Sequence, residues 1–133
     1  MPSRNAITVT GNLAGEPERR FTPSGKSVTS LTVVENTGHR DSNGAWVEDD
    51  PVFWQCETWD ESLQDNIVAS LTKGARVTVV GRYVNQTWEH EGQKRSRLLV
   101  RLDEVAASLR FATATIARTP ARSGPPPLDD PPF

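Results

Sequence analysis

Several segments of this chain show a partial alternation of apolar and polar residues, with the period of two expected of half-buried strands, and one stretch takes a different period. Ala6–Leu13 and residues 27–36, rich in Val, Thr, Ile and Leu, predict the first two strands. Pro23-Ser24-Gly25-Lys26 between them is a turn signal, because proline presets the backbone angle and glycine accepts positive φ. Asp41-Ser42-Asn43-Gly44 has the composition of a hairpin tip, and residues 52–59 predict a third strand. The period then changes. Leu63, Ile67 and Leu71 fall at i, i+4 and i+8, which predicts one short amphipathic helix with Asp60 as its N-cap and Gly74 as its C-terminal stop. Residues 75–88 and 94–102 return to strand composition and form a long hairpin around His90-Glu91-Gly92-Gln93.

Five strands with one helix between the third and fourth is the element order of an OB-fold, a small all-β Greek-key barrel that commonly binds oligonucleotides or oligosaccharides. Element order does not establish function, so individual side chains must decide it. Strand 52–59 is informative because alternate side chains leave a strand on opposite faces. Val52, Trp54, Cys56 and Thr58 share a mostly apolar face, which assigns Trp54 to the core or to a contact between subunits. Phe53, Gln55, Glu57 and Trp59 share the other face, where two large rings stand among polar neighbours. Such exposure is costly unless something flat covers the rings. Trp88 is a third ring of this kind, set among Asn85, Gln86, Thr87 and Glu89 near the end of the long hairpin.

The 133 residues carry a formal net charge of −2, so overall balance does not point to a polyanionic partner. The distribution of charge is more telling. Residues 41–72 hold acids and no Lys or Arg, whereas residues 82–101 hold Arg82, Lys94, Arg95, Arg97 and Arg101 against only Glu89 and Glu91. Rings beside a basic hairpin suit single-stranded nucleic acid, because each base stacks on an aromatic side chain for roughly 1–3 kcal/mol while cations follow the phosphates. Every base has a π-face, so such binding is expected to tolerate any sequence. Duplex DNA fits less well, since its stacked bases hide those faces and no basic recognition helix is visible. A peptide-binding barrel and a nucleic-acid hydrolase are the two other classes to weigh. Catalysis finds no support. Ser24-Gly25-Lys26-Ser27 lacks the glycine a phosphate loop requires, because Arg20 occupies its place. His39 and His90 lack ligand spacing and a nearby nucleophile, and Asp49 and Asp50 lack a third metal ligand in spacing. Cys56 is the sole cysteine, which excludes an intrachain disulfide and a CxxC zinc site. No metal, no cofactor and no enzymatic activity are therefore expected. The start has no apolar signal-peptide region and no run reaches the length of a membrane span, so the expected location is cytoplasmic and nucleoid-associated, with no membrane partner.

TVTGNL (residues 8–13), PERRFTPSGKSV (17–28), FWQCETW (53–59), LTKGARVTVVGR (71–82) and the W-E-x-E-G-x-K-R run (88–95) resemble, in order and roughly in spacing, the bacterial-type single-stranded DNA-binding proteins of replication, the SSB family. DEVAASLRFATATIA (103–117) is similar to actinobacterial members. The resemblance covers residues 5–118 and implies an OB barrel over residues 1–118, a homotetramer, and protection of single-stranded DNA in replication, recombination and repair. It places the family's stacking aromatics on Phe53, Trp59 and Trp88. A fourth falls on His39, whose smaller ring implies weaker stacking there. It places a subunit contact on Trp54 and phosphate contacts on Lys26, Arg40, Arg82, Lys94, Arg95 and Arg97. It further implies that residues 119–133 form a short, flexible, disordered Pro-rich tail ending in an acidic tip that recruits replication and repair proteins. LDDPPF supplies Asp129, Asp130, Pro132 and Phe133 of that tip, with Pro131 in place of the family's aliphatic residue and a linker shorter than usual.

Overall fold

A computed structural model describes residues 5–120, so the expected tip at Asp129, Asp130, Pro132 and Phe133 lies outside the described residues. Eight strands and one helix follow in the order β1 (Ala6–Leu13), β2 (Glu18–Phe21), β3 (Ser27–Glu35), β4 (Gly38–Arg40), β5 (Trp46–Glu48), β6 (Val52–Thr58), α1 (Glu61–Ser70), β7 (Arg76–His90) and β8 (Gln93–Ala107). Five of these make the expected barrel. β1 runs antiparallel to β7, β7 to β8 and β3 to β6, β8 lies parallel to β6, and β1 closes the ring through Asn12↔Val34 and Leu13↔Val33 on β3. Val9, Leu13, Leu31, Val33, Cys56, Val77, Val79, Val100 and Leu102 fill the interior, each supplied by the inward phase of its strand.

Three strands were not evident from alternation. β2 reads Glu-Arg-Arg-Phe and adds to β3 alone, and its charged side chains suit an edge whose other side meets water. β4 and β5 form a separate two-stranded arm between β3 and β6, closed by the predicted tip. There Asp41 Oδ1 accepts from the Asn43 and Ala45 N–H groups at 2.9 Å each, an Asx turn. β8 continues to Ala107, five residues past the predicted end at Leu102, because Val105 and Ala107 still pair with Val79 and Val77. The charged Asp103 and Glu104 are both exposed on that added stretch of strand.

The helix begins as expected, with the Asp60 side chain accepting from the Leu63 N–H at 3.1 Å. It ends at Ser70, earlier than Gly74 suggested. The Leu71 N–H still reaches the Ile67 carbonyl, but Leu71 itself is extended, and residues 74 and 75 are drawn instead to β1 by hydrogen bonds with Leu13 at 2.9 Å. Ile67 and Leu71 pack into the core with Leu63 against its margin. Gln64 is fully buried, donating to the Ser27 carbonyl at 3.0 Å and accepting from Thr29 Oγ1 at 2.9 Å, so the helix is pinned to β3 by polar as well as apolar contacts.

Candidate nucleic-acid interface

Register assigns the outer face of the barrel residue by residue. Phe53, Gln55 and Glu57 on β6 stand opposite Val34, Thr32 and Ser30 on β3, and Glu18 on β2 stands opposite Ser30. On the other side Glu57 pairs with Arg101 on β8, and stepping by two along β8 reaches Arg97, opposite Gln86, and Arg95, opposite Trp88. One continuous surface thus runs from β2 across the sheet to the hairpin. It holds an open groove of about 520 Å³ lined by Glu16, Glu18, Arg20, Thr32, Gln55 and Arg97, among others.

The three expected rings all reach solvent. Phe53 is 59% exposed, Trp88 42% and Trp59 39%. Their supports differ. Phe53 is fixed by its place in the β3–β6 ladder. Trp59 lies between two anchors: Thr58 is buried and its Oγ1 accepts from the Asp60 N–H at 3.1 Å, while Asp60 caps α1. Trp88 stands on the part of the β7–β8 hairpin that has no third strand, a ribbon ended by the turn Glu91-Gly92. Both turn residues have positive φ, 52° and 75°, the pattern of the tight turn that matches strand twist.

The expected cations divide. Arg95 and Arg97 share the face of Trp88, and Arg97 Nε donates to Gln86 Oε1 at 3.0 Å, which holds the side chain over the groove. Lys94 is opposite Glu89, so alternation turns it to the other side of the ribbon. Arg82 is half exposed and lies 3.7 Å from Asp103. Lys26 is exposed in the β2–β3 turn, and Arg40 donates to the Gly44 carbonyl at 3.0 Å within the β4–β5 arm. His39 Nδ1 lies 2.9 Å from Asp49 Oδ1.

Three residues of this surface, and one pairing across it, escaped the sequence reading. Arg20, Ser30 and Thr32 join it only once the β2–β3 and β3–β6 registers are known. Glu57 is 2% exposed and accepts from Arg101 Nη2 at 3.0 Å, a cross-strand pair that forms part of the floor of the face. Burial makes this pair costly to open, since removing one partner strands the other charge. On the opposite face Val52 is exposed, while Trp54, Cys56 and Thr58 turn toward the core. Trp54 packs against the core, its ring 5.8 Å from that of Tyr83, and its Nε1 donates to Glu35 Oε1 at 3.1 Å. Cys56 beside it is buried, which pushes its thiol pKa up to about 12. Among the described residues, no group of three or more His, Cys, Asp or Glu is placed to hold a metal ion.

Residues 4–108 match the Single-strand binding protein family. The single-stranded DNA-binding protein of Mycobacterium tuberculosis strain H37Rv is 41% identical over 126 residues, covering 93% of this chain and 76% of the relative. Single-stranded DNA-binding protein 2 of Streptomyces coelicolor is 40% identical over 122 residues, covering 90% of this chain and 60% of its own. Among solved structures, a Plasmodium falciparum SSB in complex with ssDNA superposes with a TM-score of 0.69 at 22% identity, over 81% of this chain and 97% of the other. The small single-stranded DNA-binding protein of Streptomyces coelicolor superposes with a TM-score of 0.60 at 23% identity, over 78% and 94%. At these identities the structural likeness establishes the fold, a barrel with one helix.

Proposed function

Since the chain belongs to the single-strand binding protein family, we propose that it binds single-stranded DNA without sequence preference by stacking bases on Phe53, Trp59 and Trp88. The observation that carries this reading is the sharing of one surface by solvent-exposed rings and by Arg95 and Arg97. Phosphates run along Arg95 and Arg97, with Arg82, Arg40 and Lys26 at the margins. Lys94 contributes less, because it faces away. Arg101 is held by Glu57 and is not available to the strand. Gln55, Thr32 and Ser30 offer small polar groups to whatever crosses the groove, but no convergent set that would select one base.

The biological setting in this reading is protection of exposed strands during replication, recombination and repair, in the cytoplasm and at the nucleoid. The protein works as a homotetramer in which Trp54 lies at or near a subunit contact. The acidic tip at Asp129, Asp130, Pro132 and Phe133 recruits replication and repair proteins: its ring enters an apolar pocket and its carboxylates meet basic residues at the mouth.

Titration of intrinsic tryptophan fluorescence with poly(dT) at several salt concentrations tests the core of this reading. Quenching with an affinity that falls as salt rises is expected, despite the chain's net charge of −2. Absence of quenching together with failure to protect the oligonucleotide from nuclease refutes it and leaves the peptide-binding reading of this surface.

A further inference from the structure

The β4–β5 arm carries an aromatic ring that the platform above does not use. Trp46 stands opposite Arg40 and is 58% exposed, nearly the same as Phe53. Its ring is seated on Gly38, where a Cβ would come within 2.5 Å of Cζ2 and 2.6 Å of Cε2, so only glycine leaves the ring in this position. The Arg40 guanidinium carbon lies 5.7 Å from the ring centroid, while its Nη1 is tied to the Gly44 carbonyl. The indole is thus held by backbone on one side and by a cation near it, with more than half of it left to water. His39 is placed differently. It is opposite Val47 on the other face of the arm, and its ring nitrogen is engaged by Asp49.

Position favours the same ligand as the platform. The arm leaves the barrel directly after the Glu35↔Val52 pair, one step beyond Val34↔Phe53. A strand covering Phe53 and continuing outward along β6 therefore meets the arm next. The arm is acidic, with Asp41, Glu48, Asp49 and Asp50 around a single arginine, which disfavours a phosphate path and leaves ring-on-base contact as the interaction it can offer.

We propose that Trp46, held by Gly38 and Arg40, is a further base-stacking position for single-stranded DNA, and that it, not His39, makes the arm's aromatic contact. This rests on the single-stranded DNA reading of the preceding subsection. The contact is a stack and not an ion pair, so it adds affinity without adding to the salt dependence.

The test uses the full chain with oligothymidylate carrying 5-iodouracil. Ultraviolet cross-linking and peptide mapping of the unaltered protein should find a cross-link at Trp46. Trp46→Ala should weaken poly(dT) binding roughly 5- to 150-fold, the range that removal of a stack implies, with an unchanged salt slope. Trp46→Phe should restore most of the affinity, and His39→Ala should change it less than about twofold, well below that range. No cross-link at Trp46 overturns the proposal whatever the variant does, as does a larger loss from His39→Ala than from Trp46→Ala. In both cases binding by the unaltered protein leaves the wider reading standing. An unaltered protein that does not bind poly(dT) at all overturns both.

Discussion

At the residue scale, the exposed rings and the buried thiol lead to opposite expectations. Trp59→Ala and Trp88→Ala should each cost roughly 1–3 kcal/mol of poly(dT) binding, read by fluorescence or by filter retention, because each removes one stacking surface and little else. Unaltered affinity in the double variant would exclude the platform. Cys56 should resist thiol reagents in the folded protein and react on unfolding. Its pKa is raised from 9.0 to about 12 by burial, so between those values the unfolded chain gives up the proton and the folded one keeps it. The thiol's contribution is therefore fully present at neutral pH and fades as pH climbs above 9.0, which denaturant midpoints measured for the protein and for Cys56→Ser would reveal as a difference in alkaline slope. Phe53, Trp59 and Trp54 were legible one at a time, because strand phase alone separates a ring among Gln55 and Glu57 from a ring among Val52 and Cys56. The Glu57–Arg101 pair was not. Its members lie 44 positions apart in sequence and meet through a parallel register that no local pattern encodes.

At the scale of elements, the β7–β8 ribbon separates cations that are neighbours in sequence. Arg95→Glu with Arg97→Glu should flatten the dependence of log affinity on log salt by about 0.7 for each phosphate left without its cation, whereas Lys94→Glu alone should leave the slope nearly unchanged. Equal effects from Lys94 and from Arg97 would mean that the strand does not follow the face defined by Trp88. The ribbon, the helix and the third strand were readable because each has a strong local signature: an Asp-capped 3.6-residue period, a Glu-Gly turn, a dense alternation. β2 and the β4–β5 arm were not, since strands of four and three residues carry too few side chains to show a period and are stabilised by their partners. Gly74 illustrates the same limit for boundaries, as competition from Leu13 on a distant strand ended the helix before the residue suited to ending it.

At the scale of the whole molecule, light scattering at micromolar concentration should report a tetramer, and Trp54→Asp, which sets a second carboxylate beside Glu35, should shift it to smaller species while circular dichroism stays that of a barrel. A monomer in the unaltered protein would refute the assembly. Removing residues 128–133 should leave poly(dT) affinity equal or slightly higher while abolishing capture of replication and repair proteins. The closure of the barrel also bears on how the chain comes to be folded. β1 is made well before its main ladder partner, β7, with Ala6 opposite Arg82 and Asn12 opposite Arg76. At the ribosome's pace of about 5–20 residues per second, β1 waits roughly 3–15 s for β7 to emerge. Throughout that interval β1 has only its short contact with β3, at Asn12 and Leu13, and the ladder groups of the rest of the strand face solvent. Contacts so distant in sequence make folding slow as well as late, because a long loop must close before the pairing rewards it. β1 is therefore the described strand most prone to aggregation in the nascent chain until β7 has been made.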